Sequence, residues 1–567
     1  MRKIIFYAMI FISAGASAQQ FISLKVESKY IHLPVTHDSE DETRLELVLN
    51  NKTEQVFDIW LADSEPDFWV FIDVSRYNQR EVIIRTQYGD EREGLDLIYQ
   101  SDNRDYLKNV YKEKYRPQLH FSSMIGWNND PNGLIYYDGE YHLFYQHNPY
   151  GWAWGNMHWG HAKSKNLLNW VQLPEALYPD EIGVAYSGSA VIDYENTSGF
   201  KTGNDDVMVA IYTTTWFPDR YEESKTGQKQ LETQSLAYSN DQGLTWTKYK
   251  ENPVIGDRRE LLGSTNNRDP NVFWHEPSGK WVMILFERIG MSIFTSDNLK
   301  DWQYESHFET FWECPELFEL PIDEDLNNTK WVVYDAGGDY VLGDFDGKEF
   351  KITSGAHNYI DGEFYAAQTF ENIPSSDGRR IQIGWATIPT PEMPFNMMMA
   401  FPTQLTLRTR KEGVRMFNQP VKEILGLHKS EKILNNITPE EANEVLANIK
   451  SNMLHLKFQI ENINAIMYTF NFGSDQLTYS INNNKFIFND EEKVSKYLPE
   501  LASKNMSLEI ILDKTSIEVF VDEGRFTMVL PRNLESEYDG ISLVPGDEEL
   551  TVKIKSLEVY EMKSIWD

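Results

Sequence analysis

Three carboxylic acids in the middle of the chain share a setting that suits acid–base or nucleophilic chemistry. Asp130 lies in WNNDPNG, Asp269 in NNRDPNVFW and Glu313 in FWECPELFEL. Each is followed, directly or after one residue, by a proline at the end or start of an apolar strand. Two carboxylates on either side of an acetal bond can cleave it, one as an ionised nucleophile and one as a protonated acid. One Asp-Pro alone is more often a turn, but the joint pattern favours catalysis.

These acids need elements that bring them together. Their region, from His120 to about Thr409, is rich in tryptophan and in glycine-containing turns. A degenerate motif occurs there three times, as SKNLLNW (Ser164–Trp170), SNDQGLTW (Ser239–Trp246) and TSDNLKDW (Thr295–Trp302). Such a turn closes on its own Ser, Asn or Asp side chain, and its repetition predicts a β-propeller. The innermost strands of a propeller converge at one end of its axis, where acids from three blades can meet.

Short alternating strand patterns flank this region on both sides. Runs such as FISLKVES, RLELVLNN and FWVFIDVS, from Phe21 to about Gln100, predict a small β-sandwich. Runs such as HLKFQIEN, SLEIILD and SIEVFVDE predict a second sandwich after the propeller. We therefore predict an all-β protein with an N-terminal β-sandwich at residues 19–113, a propeller at 114–420 and a C-terminal β-sandwich at 421–567.

The first residues predict export. MRKIIFYAMIFISAGASAQQ combines a basic start, an apolar run and the small residues Ala16-Ser17-Ala18, which is the pattern of a cleaved signal peptide over residues 1–18. A short buried strand is the alternative. No cysteine follows the predicted cleavage site directly, and no other apolar stretch has the length of a membrane helix, so we expect no membrane anchor. The periplasm or the extracellular medium is the expected location.

The charge and the cysteine content exclude several kinds of partner and bond. The formal net charge of −34 repels phosphate groups, so binding of nucleic acid or anionic lipid is not expected and a neutral substrate fits better. Cys314 is the single cysteine, which excludes an intrachain disulfide. It is also a poor nucleophile candidate, because the sequence offers it no evident histidine partner.

Six ordered blocks resemble glycoside hydrolase family 32, the invertases, inulinases and levanases. They are GWNNDPNGLIYYDGEYHLFYQHNP, WGNMHWGHAKSKNLLNWVQLPEALYPD, YSGSAV, RDPNVFW, WECPELFEL and FYAAQTF. The resemblance extends from about Gln118 to the C-terminus. It implies a five-bladed propeller followed by a β-sandwich, and hydrolysis of β-D-fructofuranosyl linkages of levan, inulin or sucrose with retention. It also implies that the enzyme uses no metal and no cofactor.

The resemblance assigns roles to particular residues. Asp130 matches the nucleophile, Glu313 the acid/base, and Asp269 the acid that holds fructose hydroxyls and stabilises the transition state. Residues expected around the bound fructose are Asn129, Gln146, Trp154, Tyr186, Ser187, Arg268 and Trp385. For each tryptophan, packing in a blade is an equally open interpretation.

The local sequence adds expectations about charge. Asn129 and the free backbone donors of the following turn are expected to lower the pKa of Asp130. The apolar neighbours Phe311 and Trp312 are expected to keep Glu313 protonated. Arg268 is expected to hold Asp269 as a charge.

Several alternatives remain open at this point. A non-catalytic fructan-binding propeller has less need of the complete set of acids, and a sialidase-like propeller is favoured only by the corner motif SNDQGLTW. His158 and His161 are three residues apart, a spacing that would let both bind one metal ion if they lay on a helix. On a strand they lie on opposite faces, so packing roles are favoured over a metal site. Glu363 stands where many relatives have Asp, which leaves the role of that acid open.

The first sandwich lies outside the usual two-domain layout of the family. It resembles the extra domains of fructan-degrading enzymes from Bacteroides-like bacteria. Its aromatic residues, among them Trp60, Phe68 and Trp69, can bind sugar or pack against the propeller, and packing is the favoured interpretation. A single tight fructose pocket favours exo-action over endo-action, with a slight preference for levan.

Overall fold

The computed structural model describes residues 20–39, 41–87, 92–217, 230–489, 505–535, 540–546 and 552–567. The predicted signal peptide lies outside these residues. Within them, almost all regular structure is β-strand, and the α-helices are α1 (Arg259–Leu262) and α2 (Pro439–Leu446). The predicted all-β fold class is therefore confirmed, while the exact domain boundaries stay predictions.

The N-terminal unit is a sandwich of two antiparallel sheets. One sheet has the strand order β1-β6-β3-β4 and the other β5-β2-β7. Alternate residues of facing strands, such as Ile31, Leu33, Leu45 and Ile84, are fully buried between the sheets. The strands are β1 (Phe21–Lys25), β2 (Tyr30–Val35), β3 (Thr43–Leu49), β4 (Lys52–Ile59), β5 (Phe68–Asp73), β6 (Glu81–Thr86) and β7 (Tyr99–Ser101).

The central unit is a five-bladed propeller of antiparallel blades. Blade 1 has β8 (Gly126–Tyr137), β9 (Glu140–Asn148), β10 (His158–Ser164) and β11 (Val171–Leu177). Blade 2 has β12 (Val184–Asp193), β13 (Val207–Trp216), β14 (Leu231–Ser239) and β15 (Thr247–Lys248). Blade 3 has β16 (Asn267–His275), β17 (Lys280–Glu287), β18 (Met291–Ser296) and β19 (Gln303–Phe308).

Blades 4 and 5 complete the ring. Blade 4 has β20 (Glu316–Ile322), β21 (Asp325–Tyr334), β22 (Asp339–Phe345) and β23 (Phe350–Asn358). After β24 (Ile360–Gly362), blade 5 has β25 (Tyr365–Thr369), β26 (Arg380–Ala386), β29 (Thr403–Arg410) and β30 (Gly413–Pro420). Between them, β27 (Phe395–Asn396) pairs with β8 and β28 (Met398–Met399) pairs with β26. The pairing of β27 with β8 joins the last blade to the first.

The three predicted corner turns follow the third strand of blades 1, 2 and 3. In each turn an Asn or Asp side chain accepts hydrogen bonds from backbone N–H groups two to four residues further on, as the sequence predicts. The acceptors are Asn166, Asp241 and Asn298. In the second and third turns the tryptophan indole also donates to a carbonyl of its own turn.

The C-terminal unit is a larger sandwich. Its seven-stranded sheet has the order β24-β38-β37-β36-β32-β40-β31 and its four-stranded sheet the order β35-β34-β33-β39. Because β24 comes from the propeller, the two units share a sheet. The strands are β31 (His428–Ile437), β32 (Leu454–Asn462), β33 (Met467–Phe472), β34 (Asp475–Ser480), β35 (Lys485–Phe488), β36 (Asn505–Leu512), β37 (Ser516–Val521), β38 (Phe526–Pro531), β39 (Ile541–Pro545) and β40 (Val552–Met562).

Candidate active site

The innermost strands of the five blades all begin at one end of the propeller axis. In four of them the regular pairing is interrupted near this end by a bulge or irregularity, and the interrupted stretch contains Asp130 in β8, Ser187 in β12, Asp269 in β16 and Ala366 in β25. An irregularity of this kind re-aims a side chain away from the normal pleat. The strands therefore turn these positions toward the axis, where the sequence predicts a pocket.

Left-handed backbone conformations accompany this change of direction. Asp269, Cys314 and Ala366 have φ angles of 63°, 50° and 49°, which non-glycine residues rarely adopt. The surrounding contacts must maintain them, and one such contact is the Asp269 N–H, which donates to Thr213 Oγ1 at 2.9 Å. Backbone strain is thus concentrated at the end of the axis where the acids lie.

Asp130 is held by two side-chain donors. Ser187 Oγ donates to Asp130 Oδ2 at 2.7 Å, and Asn129 Nδ2 donates to Asp130 Oδ1 at 3.0 Å. Asn129 is itself oriented by the indole of Trp127, which donates to its Oδ1. Burial raises the pKa of Asp130, although these hydrogen bonds lower it, and the Glu313 carboxylate raises it further. The expectation of a lowered pKa is therefore wrong, because desolvation outweighs the donors.

Asp269 is buried beside other carboxylates. Burial raises its pKa to about 8, the Glu313 and Asp130 carboxylates contribute in the same direction, and Arg268 opposes them. The guanidinium Nε of Arg268 is 3.6 Å from Asp269 Oδ2, which is too long for a hydrogen bond. The two groups still form an ion pair, but the expectation that Arg268 holds Asp269 as a charge is wrong, because burial and the neighbouring carboxylates outweigh the effect of Arg268 on the pKa of Asp269.

Arg268 instead binds Glu313. Its Nε donates to Glu313 Oε2 at 2.9 Å and its Nη2 donates to the same oxygen, while Tyr365 OH donates to Oε1 at 2.6 Å. The expected apolar surround of Glu313 is also wrong. Trp312 packs against Phe286 instead, and its side chain is about half exposed.

Cys314 connects the carboxylates in space. Its Sγ lies 3.8 Å from Asp130 Oδ2 and 3.6 Å from Asp269 Oδ2, and its backbone N–H donates to Asp269 Oδ2 at 3.3 Å. Burial and the surrounding carboxylates raise the pKa of the thiol well above its usual value, so it stays a thiol. Asp130 and Asp269 therefore meet at one sulfhydryl group. Glu313 is joined to them through Arg268, whose Nε lies 2.9 Å from Glu313 Oε2 and 3.6 Å from Asp269 Oδ2.

The predicted sugar-contacting residues surround this cluster. The indole of Trp154 is half exposed and packs edge-on against Tyr186, with ring centroids 6.0 Å apart, and Tyr186 directly precedes Ser187. Trp385 packs edge-on against Trp127 and Tyr365 on the other side. Gln146 Nε2 and Trp385 Nε1 are buried and have no hydrogen-bond partner among the described residues. Both are donors that a sugar hydroxyl can satisfy.

Tyr365 and Trp127 are site residues that the sequence analysis did not single out. Both lie within quoted blocks, FYAAQTF and GWNNDPNG, so the blocks themselves carried the signal. Their roles depend on contacts with Glu313 and Asn129, which become visible only when the blades are assembled.

A second polar layer lies beneath the acids. Glu316 accepts hydrogen bonds from Asn271 of blade 3 and from Thr369 of blade 5, and burial raises its pKa to about 8. Gln368 of blade 5 accepts from the Leu134 N–H and donates to the Gly188 carbonyl, which links blades 1 and 2. Residues of all five blades line the narrow cavity here, so this layer closes the pocket from below.

The histidines near blade 1 have separate partners. His161 shares a hydrogen bond with His142, and burial lowers the pKa of His142 to about 4. His158 contacts the carbonyl of Asn156 instead. Among the described residues, no group of three or more His, Cys, Asp or Glu side chains is arranged to hold a metal ion.

Glu363 accepts a hydrogen bond from Thr387 in blade 5.

Comparison with known families agrees with this architecture. Residues 120–420 match the model of the N-terminal domain of glycosyl hydrolases family 32, and residues 422–561 match the model of its C-terminal domain. The chain belongs to glycoside hydrolase family 32. Residues 16–118 match a domain of unknown function (DUF4980). Membership of family 32 confirms the resemblance stated from the sequence and removes the sialidase-like alternative.

Curated relatives and solved structures are similar to this chain over most of its length. The chain is 38% identical over 521 residues to a levanase of Bacillus subtilis (strain 168), and the alignment covers 83% of this chain and 74% of that protein. An extracellular exo-inulinase of Aspergillus awamori is 32% identical over 524 residues, covering 81% and 96%. The crystal structure of an exo-inulinase from Aspergillus awamori superposes with a TM-score of 0.70 at 29% identity, covering 80% of this chain and 100% of that one. A fructofuranosidase from Schwanniomyces occidentalis complexed with fructose has a TM-score of 0.69 at 28% identity, covering 80% and 99%.

Proposed function

We propose that this family 32 enzyme hydrolyses terminal β-D-fructofuranosyl linkages of fructans, and of sucrose, and releases fructose with retention of configuration. The observation that carries the proposal is the cluster of three acids from three parts of the propeller, in which Asp130 and Asp269 meet at the Cys314 thiol and Arg268 joins Asp269 to Glu313. Relatives named levanase, exo-inulinase and invertase support the substrate class. The relatives named extracellular support export.

In this mechanism Asp130 attacks the anomeric carbon. One of its oxygens forms a bond to that carbon while the bond to the leaving oxygen breaks, and Glu313 gives that oxygen a proton. A water molecule then attacks the fructosyl-enzyme, Glu313 takes its proton, and the Asp130 carboxylate is released. Hydrogen bonds from Ser187 and Asn129 hold Asp130 in one orientation, and its burial makes the carboxylate a stronger nucleophile than it is in water.

The proton that Glu313 donates comes from the carboxylate cluster. Asp130, Asp269 and Glu313 lie close together, with one guanidinium as counter-charge, so full ionisation of all three is unfavourable. Burial, with the Glu313 and Asp130 carboxylates adding to it and Arg268 opposing it, raises the pKa of Asp269 to about 8, so Asp269 is the member of the cluster that we propose to retain the proton. The contacts of Glu313 with Arg268 and Tyr365 aim its carboxyl group and connect it to the cluster.

We favour exo-action because the pocket is closed from below by the layer of Glu316 and Gln368. A closed pocket admits a chain end, whereas an internal unit needs an open cleft. The preference for levan over inulin is slight and is supported by the levanase relative. Products from levan, inulin and sucrose, resolved by chromatography, test this. Fructose alone from the polymers is expected, and early oligosaccharides would contradict exo-action.

Two substitutions test the roles of the acids. Asp130→Asn removes the nucleophile, so kcat should fall by several powers of ten, on the order of 10⁴ or more, while the thermal unfolding midpoint changes little. Asp193→Asn is the matched control. Asp193 is a buried acid at the far end of β12 that binds the backbone of Thr197 and Ser198, so its loss should affect stability more than turnover.

Glu313→Ala should lose most activity on fructans and sucrose but recover on an aryl fructoside with an activated leaving group, which needs no proton. Equal loss on both kinds of substrate would contradict the acid/base role.

The pH profile of kcat/KM should fall above a pH of about 8, because the cluster then loses its retained proton. An unchanged rate up to pH 10 would contradict that source of the proton.

A further inference from the structure

We propose that the N-terminal sandwich acts in substrate binding by positioning the loop that carries Trp154, and that Asn156 is the positioning residue. The inference rests on the proposed function, since it concerns the sugar-contacting edge of the same pocket. It assigns a role to the domain of unknown function that precedes the propeller.

The loop in question covers residues 149–157, between β9 and β10 of blade 1. Trp154 stands at its middle with its side chain half exposed, beside Tyr186 and therefore next to the Ser187 that donates to Asp130. An exposed indole at the edge of a pocket is a surface on which a sugar ring can stack. Trp154 lies in no strand, so its position depends on how the loop is held and on its contact with Tyr186.

Asn156 joins this loop to strand β4 of the sandwich. Its Oδ1 accepts from the Asp58 N–H at 2.9 Å, and its Nδ2 donates to the Asp58 carbonyl at 2.7 Å. The side-chain amide thus pairs with both backbone groups of one residue, much as a neighbouring strand does. The same Nδ2 also donates to Oδ1 of Asn148, the last residue of β9, at 3.0 Å. Because Asn156 is buried, water cannot take the place of these hydrogen-bond partners.

The backbone at Asn156 explains why an asparagine stands there. Its φ angle of 45° is in the left-handed region, which Asn tolerates better than most residues with a side chain. The position therefore needs both an unusual backbone conformation and a two-ended amide. Because Trp154 is only two residues from Asn156, the contact between Asn156 and Asp58 also restricts the position of Trp154.

Tyr150 provides a second attachment at the start of the loop. Its ring packs on Phe57 of β4, with centroids 4.6 Å apart, and Gln55 Nε2 donates to its hydroxyl at 2.5 Å. Tyr150 is almost fully buried and belongs to the hydrophobic core of the N-terminal sandwich. The loop therefore contributes a side chain to the core of another domain, which is more than a surface contact.

On its other side the loop is attached to the propeller. Asn396 of β27 donates to the Trp152 carbonyl, and the Trp152 indole donates to the Phe395 carbonyl, both at 3.1 Å. The Trp152 ring also packs edge-on against His37 of the sandwich, with centroids 5.4 Å apart. Trp154 thus lies between two fixed points, Trp152, which contacts both units, and Asn156, which binds the sandwich. Loss of the sandwich contact frees one of them, and a misplaced sugar-binding residue weakens substrate binding.

A double-mutant cycle in the full-length enzyme tests this positioning. Asn156→Gly removes the amide and tolerates the left-handed backbone, and Trp154→Ala removes the ring. With sucrose and 1-kestose as substrates, Asn156→Gly should raise KM about tenfold while kcat changes less than about twofold. In the Trp154→Ala background the same change should raise KM less than about twofold, because the ring that it positions is absent.

A full KM effect of Asn156→Gly in the Trp154→Ala background overturns the inference, and so does an unchanged KM in the single variant. If Asn156→Gly does not fold, Asn156→Asp carries the same cycle, because it keeps the acceptor for the Asp58 N–H but loses the donor to the Asp58 carbonyl, and an unchanged KM there overturns it too. Gln100→Leu is the matched control, because its amide donates to the Lys25 carbonyl within the sandwich and away from the loop. It should leave KM unchanged. Fructose release by the unmodified enzyme is measured separately, so failure of the proposed function is distinguishable from failure of this inference.

Discussion

The propeller is attached to its two sandwiches by different kinds of contact. At the C-terminal sandwich, His120 is fully buried between Asp513 and Glu518, and β24 of the propeller pairs with β38 of the sandwich. At the N-terminal sandwich, the contacts beside the pocket are made by neutral groups of one loop, through Asn156 and Tyr150, and Ile125 before β8 also packs into the sandwich core. The C-terminal sandwich is attached through a shared sheet with buried charges. The N-terminal sandwich is attached beside the pocket through amide hydrogen bonds and packed aromatic rings.

The difference indicates separate tasks. A buried ionic group that loses its partner is costly, so the C-terminal contact ties the two domains into one folding unit. A neutral loop contact contributes less to stability and can still fix the geometry of a binding residue. Substitutions at the two contacts should therefore separate the free energy of unfolding from KM.

The largest effect on stability is expected for Asp513→Ala. Asp513 accepts hydrogen bonds from the N–H groups of Gln118 and Leu119 and contacts His120, so its loss leaves several buried donors unpaired. The free energy of unfolding should fall by about 3–5 kcal/mol, measured by denaturant unfolding, while KM of the folded enzyme stays unchanged. Asn156→Gly is the comparison, with a smaller loss of stability and a higher KM. Similar losses at both contacts would remove the distinction.

The stability contributed by the C-terminal contact should depend on pH. Burial by itself lowers the pKa of His120, but hydrogen bonds and charges from Asp513 and Glu518 raise it to about 9. A folded-state pKa above the unfolded value of about 6.5 gives stability that is complete below pH 6.5 and is lost as the pH rises through about 9, on the order of 2–3 kcal/mol.

Thermal unfolding of the enzyme and of His120→Gln between pH 6 and pH 10 checks this. The variant should be less stable at pH 6, and its unfolding midpoint should fall less between pH 6.5 and pH 9. Parallel curves for the two proteins would show that His120 is not the titrating group. At the N-terminal contact the Asn156 amide binds backbone atoms of Asp58, while the Asp58 carboxylate pairs with Arg44 inside the sandwich.

The smallest effect is expected for Tyr150→Phe, which removes only the hydroxyl that Gln55 binds. The ring stays on Phe57, so the free energy of unfolding should fall by no more than about 1 kcal/mol. KM should rise about twofold, in the same direction as in Asn156→Gly. A change in stability without any change in KM would show that this end of the loop serves packing alone.

The sequence predicts the fold well because its signals are local. Alternating apolar residues indicate each strand, and the Ser, Asn and Asp side chains at the blade corners close turns with residues only a few positions away. The motif blocks also place Asp130, Asp269 and Glu313 correctly in one cluster, since the innermost strands of a propeller must converge.

The charges in the site could not be predicted in the same way. A neighbour in the sequence is not always the main partner in the pocket: Arg268 lies next to Asp269 but donates its short hydrogen bonds to Glu313, and Trp312 precedes Glu313 but packs on Phe286. The pKa of Asp130 depends on burial by other blades, which outweighs its adjacent Asn129. Asn156 gave no signal, because its partner Asp58 is 98 positions away.

The junction of the last blade with the first has a consequence for how the gene can be rearranged. Met399 donates to the Phe121 carbonyl, and Leu119 and Val421 belong to one hydrophobic core, so the chain enters and leaves the ring at the same place. The Trp566 indole donates to the Pro117 carbonyl there and its ring stacks on Tyr111. A ring with such adjacent ends can be cut open and rejoined at another blade corner as a circular permutant, without threading any blade through another.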